Sequence, residues 1–166
     1  MKKTAILGMY LAFSMILSYI ETLIPLPIPI PGVKLGLTNL AIILLLYLYG
    51  FKEAFIINLM RIILTGFLFT NLSLILYCLS GGILSLLCMA YAKRSQHFSL
   101  QCVSLIGGIT HNIGQMCVAY ITVRTYGILY YVPFLLLAGS VTGWVIGMLE
   151  TIIEPRLCRF MRNYQS

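Results

Sequence analysis

Apolar residues fill this chain in six long blocks, separated by short charged, proline-containing or glycine-containing breaks. The blocks cover about 5–24, 36–50, 53–70, 73–92, 100–122 and 132–153. A helix needs about 20 mainly apolar residues to cross the ~30 Å hydrocarbon core of a bilayer. The second block is short; the others approach or reach that length. The pattern therefore predicts an all-α, polytopic membrane protein: six transmembrane helices forming one domain over 1–166. Block 5–24 resembles a secretory leader in position. It has no small-residue cleavage site before the prolines that follow and is long enough to span, so it is read as a helix of the bundle.

Composition narrows the class. Of the 166 residues, 60% are hydrophobic and 9% are charged, against ~25% charged in an ordinary soluble domain. Mean hydropathy is +0.98. Too few polar groups exist to cover a water-soluble globule, and the apolar blocks exclude a disordered chain. The acidic residues are four glutamates, Glu21, Glu53, Glu150 and Glu154, with no aspartate. No Gly-x-x-x-x-Gly-Lys-Ser/Thr stretch occurs, so the chain has no P-loop to cradle ATP phosphates. The five cysteines form no Cys-x-x-Cys pair. They read as structural thiols, and no metal site is expected. No cofactor is expected either.

Charge orients the bundle. With six spans both termini share a side, and placing them in the cytoplasm puts Lys2, Lys3, Lys52, Lys93, Arg94, Arg156, Arg159 and Arg162 inside. Lys34 and Arg124 fall outside and Arg61 lies within a span. That asymmetry follows the positive-inside rule. It accounts for the net charge of +7 without a nucleic-acid partner.

Several polar residues sit where apolar ones are expected. Arg61 lies near the middle of the third block, with Asn58 and Thr65 on the same helical face. A guanidinium at that depth costs about 2.5–3.5 kcal/mol on insertion scales and does not titrate away. It reads either as an anion site or as one half of a pair with Glu21 or Glu150. In the fifth block His111, Asn112 and Gln115 are candidate ligand contacts, with interhelical hydrogen bonding as the alternative. Glu21, Thr38 and Asn39 fall near the outer ends of blocks one and two, as a pocket rim or as helix caps. Trp144 lies deep in block six and reads as a pocket wall or bundle core. Gly139, Gly143 and Gly147 form a small-residue stripe, read as internal packing. Gly8 and Ala12 form a shorter one, read as a docking step for a partner helix. Between blocks one and two, the alternating prolines Pro25 to Pro31 and Gly32 predict a stiff extended segment.

Six helices in under 200 residues, the Pro/Gly-rich outer loop and the small-x-x-x-small step on the first span together resemble the substrate-binding (S) components of energy-coupling-factor transporters. More specifically, Pro31-Gly-Val-Lys-Leu-Gly-Leu-Thr-Asn39, Asn58-Leu-Met-Arg61 and Leu79-Ser-Gly-Gly-Ile-Leu-Ser85 are similar to the Gx transporter family, also known as heptaprenyl diphosphate synthase component I. That resemblance implies capture of a vitamin-like molecule from outside, in the outer half of the bundle. It implies a lid over Pro25 to Gly36, including Pro29, Pro31, Gly32 and Lys34. Gly8 and Ala12 would dock a transmembrane coupling subunit, and two ATPase subunits would drive the transport step. The docking step begins with glycine where alanine is commoner in the family. Its second name implies another role: a membrane subunit beside a prenyl diphosphate synthase in menaquinone side-chain synthesis. Chain elongation itself needs aspartate-rich motifs that hold magnesium and diphosphate, and this chain has no aspartate. It is therefore expected to be no enzyme on its own.

Overall fold

A computed structural model describes residues 2–23, 36–69, 72–124, 127, 130 and 132–165. Among them are six α-helices: α1 Lys2–Leu23, α2 Leu37–Leu48, α3 Phe51–Phe69, α4 Leu72–Arg94, α5 Leu100–Val123 and α6 Val132–Gln165. The helical blocks fall where the apolar pattern puts them. The main departure is α6, which continues past 153 through Pro155. The predicted lid, with Pro29, Pro31, Gly32 and Lys34, lies outside the described residues.

α2 is the centre of the bundle. It packs on α1, α3, α5 and α6, while the neighbours α1–α3, α3–α4, α4–α5 and α5–α6 pack on one another around it. Its sequence explains the position, because a helix that is apolar on every side belongs in a core. Every residue from Leu40 to Leu46 is 7% exposed or less. At 12 residues the helix is only about 18 Å long, well short of the hydrocarbon thickness.

The outer helices are built inside-out. Large apolar side chains face outward on α1, α3, α4, α5 and α6, among them Phe67, Leu76, Ile121 and Leu137. On α1 the outward face is Met9, Phe13, Ile16 and Ile20, whereas the buried face carries Tyr10, Ser14, Ser18 and Glu21. Such a distribution suits lipid and not water. Among the described residues, three helices are long and apolar enough to cross a membrane: Lys3–Leu23, Leu74–Arg94 and Val132–Arg159. The other three fall short for separate reasons. α2 is short, α3 carries Lys52, Glu53 and Arg61, and α5 holds the polar run from His111 to Gln115.

Glycine sets the closest seam. A Cβ on Gly139 would lie 2.8 Å from the Gly108 carbonyl oxygen, and one on Gly143 would lie 3.0 Å from Leu105 Cα. α5 and α6 thus touch backbone to backbone, so the stripe on α6 serves internal packing. At one end of the bundle the Lys3 Nζ donates to Glu53 Oε1 at 2.6 Å. At that same end Lys93 Nζ donates to the Leu46 carbonyl at 2.8 Å. The polar cluster described next occupies the opposite half.

Candidate functional site: a polar cavity where the helices converge

The site begins with the polar face of α1. Ser14, Ser18 and Glu21 recur at helical spacing and are all buried. Glu21 ends the row and anchors α2. Its Oε2 accepts from Thr38 Oγ1 at 2.8 Å, and its Oε1 accepts from the Gly36 backbone N–H. Gly36 has φ +72°, a left-handed conformation that glycine adopts without Cβ strain. A carboxylate at a helix N-terminus also complements the helix dipole. Glu21 is therefore engaged in capping α2, which is the role Asn39 and Thr38 were alternatively read to fill.

Arg61 lies beneath this cap. It is the eleventh residue of α3 and 7% exposed. One terminal nitrogen donates to Asn58 Oδ1 at 2.7 Å and the other to Ser18 Oγ at 3.3 Å. Asn58 is held in turn by donating from Nδ2 to the Gly82 carbonyl on α4 at 3.1 Å. Thr65 does not reach the guanidinium; its hydroxyl donates to the Arg61 backbone carbonyl at 2.7 Å. Arg61 Nε has no hydrogen-bond partner among the described residues. Neither Glu21 nor Glu150 comes within ion-pair distance: among the described residues the ion pair is Lys3–Glu53. The groups that bond Arg61 directly are neutral, and the Glu21 carboxylate shares the cavity wall beyond ion-pair distance, linked through Ser18 and Thr38.

α5 supplies the remaining polar groups. Asn112 Nδ2 donates to the Leu135 carbonyl on α6 at 2.7 Å, tying the two helices together. Gln115 Nε2 and His111 Nε2 are 3.2 Å apart and hydrogen-bonded. Gln115 Oε1 is buried with no partner among the described residues. Both side chains lie against Gly81 of α4, whose added Cβ would fall 3.0 Å from Gln115 Cγ.

These elements enclose a small cavity lined by residues of all six helices, including Glu21, Asn39, Arg61, His111, Asn112 and Thr142. Its free interior is about 30 Å³, which is room for two or three waters at ~10–15 Å³ each. A vitamin-sized molecule enters only if side chains or helices part. The Arg61 guanidinium and the amide donors suit an anionic or acceptor-rich group, while the Glu21 carboxylate in the same wall is already engaged by Gly36 and Thr38.

Of the sequence-predicted residues, Glu21, Asn39, Arg61, His111 and Asn112 line the cavity. Asn58 holds Arg61, and Gln115 holds His111. Trp144 is apart from them: it is 49% exposed and faces outward from α6. Gly8 and Ala12 are exposed on α1, and nothing lies within 4 Å of a Cβ added to Gly8. Sequence reasoning missed Ser18, whose hydroxyl oxygen accepts from Arg61, and Cys78 and Thr142, which line the cavity. The signal for Ser18 was available in the Tyr10-Ser14-Ser18-Glu21 spacing. Cys78 and Thr142 carried none, since single residues of those types are ordinary in apolar helices. No group of three or more His, Cys, Asp or Glu among the described residues is arranged to hold a metal.

A family model described as heptaprenyl diphosphate synthase component I matches residues 10–153. The chain belongs to that family. The match runs from the polar face of α1 into α6, so it includes every cavity residue named above. No curated protein and no solved structure matches this chain.

Proposed function

We propose that this member of the component I family is the substrate-capture (S) subunit of an energy-coupling-factor type importer. It sits in the bacterial cytoplasmic membrane with six spans and both termini inside. Its ligand is a small anionic or polar-aromatic molecule of the vitamin or isoprenoid/quinone-precursor class, taken from outside into the cavity around Arg61. The observation that carries this reading is the buried Arg61, which has no carboxylate at ion-pair distance and an unengaged Nε. A permanently charged group at such depth calls for a counter-charge, and an anionic ligand supplies one. Apolar walls give contact area, while Arg61, Asn39, His111 and Asn112 give orientation.

In this scheme the lid is the role that the resemblance assigns to Pro25 to Gly36, of which 25–35 lie outside the described residues. Gly8 and Ala12 offer a flat exposed step for the coupling subunit, and partner ATPases provide the energy. The chain performs no covalent chemistry. Ligand and partners shift a population between outward-open and inward-facing arrangements, each by its differential affinity for the two.

A second reading is favoured by the family's own description: a non-catalytic membrane subunit working beside a heptaprenyl diphosphate synthase in menaquinone side-chain synthesis. The two differ in their partners. Affinity purification from native membranes in mild detergent, with mass spectrometry of proteins and retained small molecules, separates them. Recovery of a coupling subunit with two ATPases supports the importer. Recovery of a prenyl synthase without any ATPase overturns it in favour of the second reading.

A further inference from the structure

The cavity around Arg61 has a larger, apolar neighbour. Between the C-terminal half of α5 and the first turns of α6 runs a groove with a free interior of about 250 Å³, against about 30 Å³ for the cavity. Its walls are Ile113, Met116, Cys117 and Tyr120 from α5 and Val132 and Leu136 from α6. Ile113 and Tyr120 are 39% and 42% exposed, so the groove opens onto the outward face of the bundle, the face that suits lipid. Along α5 it runs from Asn112 to Tyr120, about 12 Å at 1.5 Å per residue. That is close to the ~15 Å depth of one leaflet's hydrocarbon.

The groove begins where the glycine seam ends. A Cβ on Gly139 would lie 2.6 Å from Asn112 Nδ2, and that nitrogen donates to the Leu135 carbonyl at 2.7 Å. Beyond this point α6 has no glycine from Val132 to Ala138, so side chains hold α5 and α6 apart and leave the groove between them. Asn112 also lines the polar cavity. The two voids therefore meet at one side chain. Another apolar groove, of about 300 Å³ between α1, α2 and α6, shares no lining residue with the cavity.

We propose that the ligand of this site is an amphiphilic anion with a single hydrocarbon chain, alkyl or prenyl. Its head sits in the Arg61 cavity and its chain lies in the α5–α6 groove. The inference rests on capture of an anion at Arg61 and narrows the class of that anion. The cavity supplies the cation: Arg61 is 7% exposed and its Nε has no partner among the described residues. Its volume suits a head group and little more. The groove is almost wholly apolar, so a hydrocarbon chain fills it without burying an unpaired polar group of the ligand. A compact polar molecule would leave the groove empty. The chain also stays on the lipid side of the bundle, so only the head is desolvated when the ligand binds.

The test uses the full chain in lipid nanodiscs and octyl phosphate carrying a photoactivatable diazirine at the end of its chain. Labelled peptides are mapped by mass spectrometry. Label is expected within 113–120 and 132–136, displaced by unlabelled octyl phosphate and not by octanol. Arg61→Gln is expected to lose it. Cys117→Trp fills the groove from its exposed wall, outside the cavity lining. It is expected to lose the label too, while inorganic phosphate still raises its melting temperature. That variant keeps the proposal open to refutation if Arg61→Gln does not fold. Label spread over the outward faces of all the helices, as boundary lipid would give, overturns the proposal. Groove label unchanged in Arg61→Gln or in Cys117→Trp overturns it as well. Stabilisation by inorganic phosphate that depends on Arg61, without label in the groove, overturns the amphiphile alone and leaves anion capture standing. If neither phosphate nor octyl phosphate acts through Arg61, both fall.

Discussion

Replacing Arg61 by glutamine tests the cavity, because two consequences of opposite size follow from the geometry. In the unliganded protein the change removes a guanidinium whose burial costs about 2.5–3.5 kcal/mol on insertion scales. It also removes two hydrogen bonds from a charged donor, to Asn58 and Ser18, worth about 1.5–3 kcal/mol each. These nearly offset, so the expected loss of stability is about 0–3 kcal/mol. An anionic ligand loses its counter-charge outright. Truncating one member of a buried charge pair typically costs about 2–5 kcal/mol, or roughly 30- to 3,000-fold in Kd. The assay is thermal unfolding in detergent or nanodiscs, with and without the molecule retained on purification and with inorganic phosphate as a simple anion. Wild type is expected to gain about 2.7 kcal/mol at a hundredfold excess over its Kd, and the variant at the same ligand concentration about 0–0.9 kcal/mol. A folded Arg61→Gln protein with undiminished ligand affinity would refute the reasoning, since the guanidinium would then serve the fold alone.

Other outcomes follow from contacts already described. Gly143→Leu forces a side chain where even a Cβ would lie 3.0 Å from Leu105 Cα. Its overpacking cost is expected to be about 1–3 kcal/mol or more, visible as a lowered melting temperature. Gly8→Leu combined with Ala12→Leu should leave stability unchanged, because a Cβ on Gly8 meets nothing within 4 Å. Co-purification of the coupling subunit should then be lost, and intact assembly would sink the docking assignment. A cysteine placed at Lys34 should react with a membrane-impermeant thiol reagent added outside intact cells; reaction only from the cytoplasmic side would invert the topology.

Helix positions were legible in the sequence because apolar blocks of this length have few other uses. The special place of α2 was legible only in part. Its length marked it as odd, but its burial on all sides depends on five other helices closing around it. The cavity was half legible for a similar reason. Arg61, Asn58, His111 and Asn112 stand out as polar residues at depth, and the structure brings them into one region. Which of them bond to one another is a matter of helix rotation, and no single-chain pattern records it. The cysteine and threonine of the lining are indistinguishable from packing residues until neighbours are known. Trp144 shows the opposite error: depth along a helix was read as depth in the bundle, although a lipid-facing position can lie at any depth.

The arrangement of Arg61 and Glu150 bears on what the bundle is for. The least costly way to keep two opposite charges in a membrane interior is to put them together, where attraction and hydrogen bonds offset part of the desolvation. This fold has one cation and one carboxyl available in its interior and does not pair them. Arg61 is held among Asn58, Ser18 and the cavity, on the side where Glu21 is already engaged by the start of α2. Glu150 is sealed by the α5–α6 seam beyond the other end of α2 from that cap. Substituting leucine at both positions would remove two insertion penalties and leave the apolar packing of α2 intact. A purely structural account explains the Arg61 bonds to Asn58 and Ser18 but not its unengaged Nε. Under the proposed ligand capture, a counter-charge for Arg61 arrives with the substrate.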